Sequence, residues 1–173
     1  MTRTIFTLLA GLLLVSTAAA QDLQRVDGAR VVSMSTDPET PEFGRVFDLH
    51  LTVRVAPEYV VALSEALLPN LAAESIGEGS WQSAPAPGDS LDVLATYPMI
   101  MYAEGRVDLP SLVIRTRHAP GAAATLAGVE TLEGVDAEAI PLGAIIVPEL
   151  AAMADSGAAL VPRPAADVLG GEW

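Results

Sequence analysis

Residues 47–55 alternate without a break. Phe47, Leu49, Leu51, Val53 and Val55 are apolar, and Asp48, His50, Thr52 and Arg54 between them are polar. A helix would scatter these side chains around its axis. A strand puts the five apolar ones on one face and the four polar ones on the other. Such a strand lies half in a core and half in water, which is the habit of antiparallel sheets rather than of fully covered parallel ones. The chain is therefore expected to be built around an antiparallel sheet with one wet face.

The flanking segments extend this pattern. Residues 36–44 carry Pro38, Pro41 and Gly44 and form a turn, preceded by a shorter strand at 30–35. Pro57 ends the long strand. Residues 59–68 place Val60, Leu63, Leu67 and Leu68 near helical spacing, and read either as a helix or as a strand and its connection. Residues 71–76 lead through Gly77-Glu78-Gly79 into 80–82 as an expected hairpin. A turn at 84–89 precedes a strand over 90–102, with Leu91, Val93, Ala95 and Tyr97 on one face. Pro98 within it argues for an edge position or a bulge. A turn at 103–106 leads to a strand at 109–117, with Leu112 and Ile114 on one side. After His118 the chain is rich in alanine and glycine with little periodicity, and 140–147 reads as one last strand. Short strands separated by turn signals, with no βαβ alternation, indicate a β-sandwich.

The first residues have a different character. Arg3 is the only charge before Asp22; an apolar run follows from Ile5 to about Val15, and Ala18 and Ala20 stand in an A-x-A arrangement. This pattern is expected of a secretory signal peptide at 1–20, cleaved after Ala20. The apolar run is short of the roughly 20 residues that a membrane span needs. Export would place the protein in the periplasm or outside the cell, with no membrane span after cleavage.

Composition narrows the partners. Nine basic residues, all arginine, face twenty-two acidic ones, for a net charge of −13. Loss of Arg3 with the leader would make it −14. A chain this acidic repels nucleic acid and anionic lipid. The absence of cysteine excludes a thiol nucleophile, a disulfide framework and cysteine-based metal sites. No calcium-loop pattern, G-x-S-x-G elbow or complete dinucleotide fingerprint is present. Asp48, His50 and Arg54 share the polar face of the alternating strand, which reads as a solvated sheet face on which they could form a small polar cluster. His118 follows Arg115 and Arg117 at a strand end. Neither histidine has an identifiable nucleophile beside it. Glu74, Glu78, Asp89 and Asp92 sit in turns and on exposed strand faces, where acids ordinarily lie.

Val31-Val32-Ser33-Met34, the Pro41–Arg45 turn into an alternating strand, Trp81, Tyr97-Pro98-Met99-Ile100, and Glu104-Gly105-Arg106-Val107-Asp108-Leu109-Pro110-Ser111-Leu112 together resemble the immunoglobulin-like repeats of BatD-like aerotolerance proteins. The resemblance covers about residues 31–117. It implies an exported domain held outside the cytoplasmic membrane, and it supplies no catalytic residues. The expected fold is thus all-β, an immunoglobulin-like antiparallel β-sandwich over 21–148. A flexible Pro/Ala/Gly-rich tail, partly disordered, is expected at 149–173, with a helical turn at 149–153. The expected role is a non-enzymatic protein-interaction or assembly module of the cell envelope, needing no cofactor and no metal. Its partner would be another envelope protein. Candidate contact residues are Trp81 and Tyr102, as aromatic anchors, and Arg106, Arg115 and Arg117, as a positive patch for an acidic partner. The alternative role is an extracytoplasmic small-ligand or carbohydrate binder using the Trp81 and Tyr102 neighbourhood.

Overall fold

A computed structural model describes residues 25–149. The expected leader at 1–20 lies outside them, as does the expected tail apart from Glu149. Twelve strands follow one another: Arg25–Val26 (β1), Ala29–Asp37 (β2), Val46–Val55 (β3), Tyr59–Leu63 (β4), Ala73–Ser75 (β5), Ser80–Ala86 (β6), Ser90–Met101 (β7), Gly105–Asp108 (β8), Ser111–His118 (β9), Thr125–Leu126 (β10), Glu138–Pro141 (β11) and Ala144–Val147 (β12). One 3-10 turn, Val129–Leu132, lies between β10 and β11. The larger sheet runs β1-β2-β3-β7, with both β5 and β6 on the far side of β7. A second sheet runs β10-β4-β9-β11, and β8 pairs with β12 as a separate ribbon. Every pairing is antiparallel except β10 with β4.

The architecture is an antiparallel β-sandwich, and β3 is its organising strand. Its burial alternates without exception from Phe47 to Val55, as the period of two requires. Leu49, Val53 and Val55 are fully buried. Val93, Tyr97 and Met99 of β7 join them in one core with Val61 and Leu63 of β4, Leu112 and Ile114 of β9, and Ile140 of β11. Burying an aliphatic side chain of this size stabilises a fold by about 1.5–3 kcal/mol. Tyr97 is the largest of the fully buried side chains, and its hydroxyl donates to the Ser64 carbonyl oxygen at 3.0 Å. Burial pushes the Tyr97 phenol well above its ordinary pKa.

Several expectations need correction. Of the two readings open for residues 59–68, the strand and its connection is the one found, not the helix: 59–63 form β4, because Val61 and Leu63 are needed in the second sheet beside β9. The last apolar run is two strands, not one. It breaks at Leu142-Gly143, so that β11 pairs with β9 and β12 with β8. Gly143 takes a φ of 85°, the left-handed conformation that this change of partner requires.

The expected hairpin across Gly77-Glu78-Gly79 is also absent. β5 and β6 both pair with β7 and run in the same direction, so they are two parts of one interrupted edge strand. Pro98 explains the interruption. It occupies β7 between two partners, contrary to an edge position, and its carbonyl accepts from the Ile76 amide at 2.9 Å. Within a strand, a residue's N–H and C=O point to the same neighbour. The missing N–H of Pro98 therefore faces the β5–β6 side, where the ladder is broken, and not β3. The chain bridges the gap over the Tyr97 ring. A Cβ at Gly79 would lie 2.4 Å from Tyr97 Cε1.

Candidate interaction surface

The outer face of the larger sheet consists of the positions that alternate with its buried ones. The register arranges them in rows across the strands. At one end Val46 stands opposite Ile100, which stands opposite Glu74. The next row is Asp37, Asp48 and Pro98, with Ile76 tied to the Pro98 carbonyl. Ser35, His50, Thr96 and Ser80 form a third row; Ser33, Thr52, Leu94 and Gln82 form a fourth. The last row is Arg30, Arg54, Asp92 and Ala84. From Val46 to Arg54 the face extends about 27 Å along β3.

The first two rows carry an apolar patch. Val46 is 56% exposed, Ile76 47% and Tyr102 48%, with half-buried Ile100 and Pro98 between them. The Tyr102 hydroxyl donates to Glu74 Oε1, which raises the phenol's pKa. Phe43 and Leu71, both exposed, flank this end on adjoining turns: the Gly44 amide bonds to the Met101 carbonyl, and the Tyr102 amide to the Ala72 carbonyl. Asn70 shapes the second turn by accepting from the Ala72 and Ala73 amides, each at 2.8 Å, through Oδ1.

The middle of the face is polar. His50 is half-buried and shares a 3.0 Å hydrogen bond between its Nδ1 and Thr96 Oγ1. Asp48, His50 and Arg54 do not join in one cluster. Arg54 instead gives Nε and Nη2 to the two oxygens of Asp92, both at 2.8 Å. This fork holds the Asp92 carboxyl below, and the Arg54 guanidinium above, their ordinary values. The reason is cross-strand register: Asp92 stands directly opposite Arg54, whereas Asp48 is six residues away on the same strand.

The five contact residues chosen from sequence are spread over the molecule. Trp81 stands opposite buried Ala95, so it shares the inner face and packs, partly buried, against the core. Tyr102 lies beyond the other end of β7, on the outer face. The two rings are not on one surface. Arg106 is exposed on β8, opposite Ile146. Arg115 and Arg117 are on β9; Arg115 Nε donates to the Val135 carbonyl at 3.2 Å. Of the five, only Tyr102 belongs to the apolar patch. Val46, Ile76 and Ile100 did not stand out in the sequence because each is unremarkable where it occurs. Only the pairing of three separate segments brings them together.

His118 is occupied at the opposite end. Its Nε2 lies 3.5 Å from Glu58 Oε2, and its ring is tilted against Tyr59 at 5.0 Å. Among the described residues, no group of three or more metal-ligating side chains occurs, and no helix is long and apolar enough to cross a membrane. The chain matches no known family model, and neither the curated proteins nor the solved structures give a match.

Proposed function

We propose that this protein is an exported, non-enzymatic interaction module of the cell envelope, and that it holds a partner protein through the apolar end of its larger sheet. The observation that carries the reading is the exposed grouping of Val46, Ile76 and Tyr102 around Ile100 and Pro98. Aliphatic and aromatic side chains gathered on a rigid sheet, with hydrogen-bonding groups at their border, are what a protein hot spot consists of. The leader pattern at 1–20 and the resemblance to BatD-like domains support the envelope as the location. The carbohydrate-binding alternative is less well supported, since Trp81 and Tyr102 do not share a face.

The test is cross-linked capture from native envelope, comparing the full chain with a Val46→Thr/Ile76→Ser variant. The reading expects a stoichiometric partner with the parent chain and its loss with the variant. Equal recovery from both, or no partner from either, would refute it.

A further inference from the structure

The apolar end of the larger sheet has an acidic border. β2 and β3 place Asp37 directly opposite Asp48, and Asp48 stands two residues from Val46 on its own strand and opposite Pro98 of β7. On the other flank Glu74 of β5 stands opposite Ile100. Like charges at directly paired positions of a sheet destabilise it. Among the described residues neither Asp37 nor Asp48 has an ion-pair partner, and Glu74 receives only the neutral hydroxyl of Tyr102. Arg45, the base next to Val46 in the chain, is taken up by Glu42 at 2.8 Å. The border therefore presents three carboxylates that no cation among the described residues pairs with.

Charge decides between the occupants that such a sheet end can take. A second copy of the chain would bring a net charge of −13 against it. Residues 150–173 of the same chain carry Asp155, Asp167 and Glu172 against Arg163 alone, and so oppose the border as well. An apolar surface rimmed by lysine or arginine meets it with the opposite sign. Its centre covers Val46 and Ile76, and its cations approach the carboxylates on both flanks. Complementary potentials of this kind set which partner is accepted and how fast it is captured.

We infer that the partner held at this end is a basic protein surface, an apolar centre bordered by lysine or arginine side chains. This rests on the interaction reading and adds the partner's chemistry to it. The opposed aspartates are then a recognition device, and the repulsion between them in the free protein is relieved when the partner's cations arrive. Attraction between such exposed charges is screened beyond about 10 Å at 0.1 M salt, so the contact weakens as salt is added.

The experiment titrates the full chain into two labelled synthetic peptides, one alternating leucine with lysine and the other leucine with glutamate, and follows fluorescence anisotropy. The lysine peptide should bind saturably and the glutamate peptide should not. Asp37→Asn/Asp48→Asn should weaken the lysine peptide about tenfold at low ionic strength, and by less at about 0.5 M salt, where screening removes most of the attraction. Glu130→Gln/Glu133→Gln, which removes the same charge from exposed positions at the 3-10 turn, should leave binding unchanged. Asp37→Asn/Asp48→Asn should melt no lower than the parent, since it removes a like-charge opposition, so its loss of binding is not a loss of fold. No saturable binding of the lysine peptide, equal binding of the two peptides, or equal weakening by the two double variants would overturn the basic-partner assignment. Weakening by Val46→Thr/Ile76→Ser without weakening by Asp37→Asn/Asp48→Asn would also overturn it, while leaving the interaction reading standing; that reading fails separately, in the envelope capture.

Discussion

Gly79→Ala tests the explanation of the broken edge strand. Gly79 sits where the chain crosses the Tyr97 ring, and an added Cβ would lie 2.4 Å from Cε1 and 2.7 Å from Cδ1. Ordinary contact would need the ring and the chain to separate by about 1 Å. The ring has little room to retreat: Tyr97 is fully buried and its hydroxyl is anchored to the Ser64 carbonyl. The chain is held too, since the Gly79 amide bonds to the Glu65 carbonyl at 2.6 Å. Gly79 does not have a left-handed φ, so alanine would be disfavoured by contact and not by backbone conformation. Overpacking of this kind costs about 1–3 kcal/mol. For a domain of this size that lowers the melting temperature by about 4–12 °C. Thermal unfolding followed by circular dichroism measures it. The same substitution in a Tyr97→Leu background should cost less, because the ring atoms it meets are gone, and the difference is a coupling energy. A Gly79→Ala melting temperature within about 1 °C of the parent, or an equal cost in both backgrounds, would refute the reasoning.

Two further predictions follow from the sandwich and its stitched turn. Leu49→Ala should cost about 2–5 kcal/mol, since Leu49 is fully buried in the central strand; Leu94→Ala, on the outer face of the adjoining strand, should stay within about 0.5 kcal/mol of the parent in urea unfolding. Glu58 accepts from the Gly121 amide at 2.9 Å and faces His118, and these contacts, the first being the larger, hold its carboxyl below the ordinary value. A carboxyl with a depressed pKa stabilises the fold above the ordinary glutamate value of about 4.3 and loses that contribution as pH falls through the lowered one. The Gly121 amide resonance should therefore titrate with a midpoint below about 4.3 in the parent and stay flat in Glu58→Gln; a midpoint at or above that value would contradict the assignment.

The sandwich was legible in the sequence where one strand carries its own signal. The alternation at 47–55 is local, so β3 and its buried face follow from it directly, and the inward set Val93, Ala95 and Tyr97 follows in the same way. Pairing is not local. Nothing near Ser80 says that it continues the edge begun by β5, and the role of Pro98 appears only once the direction of its carbonyl is known. Residues 140–147 look like a single strand because every residue but Pro141 and Gly143 is apolar or small. Gly143 was visible, but the two different partners on either side of it were not. The surface features are harder still. Arg30 and Arg54 are each an ordinary polar position of a half-wet strand, separated by 24 residues. Their opposition depends on the register of β2 against β3, which includes an irregularity between Val31 and Ser33. Tyr102 was identified as an aromatic of interest, but its neighbours Val46 and Ile76 come from two other segments.

The claim that the apolar end of the larger sheet is the contact surface can be tested where the protein works. A photo-cross-linking amino acid placed at Ile76, and separately at Leu94, leaves the core untouched, since both positions are exposed. Leu94 serves as the comparison because it lies on the same face, in the polar middle beside Thr96 and Gln82. Irradiation of intact cells should give a discrete protein adduct from position 76 and none from position 94. Adducts from 94 alone, or none from either, would contradict the account.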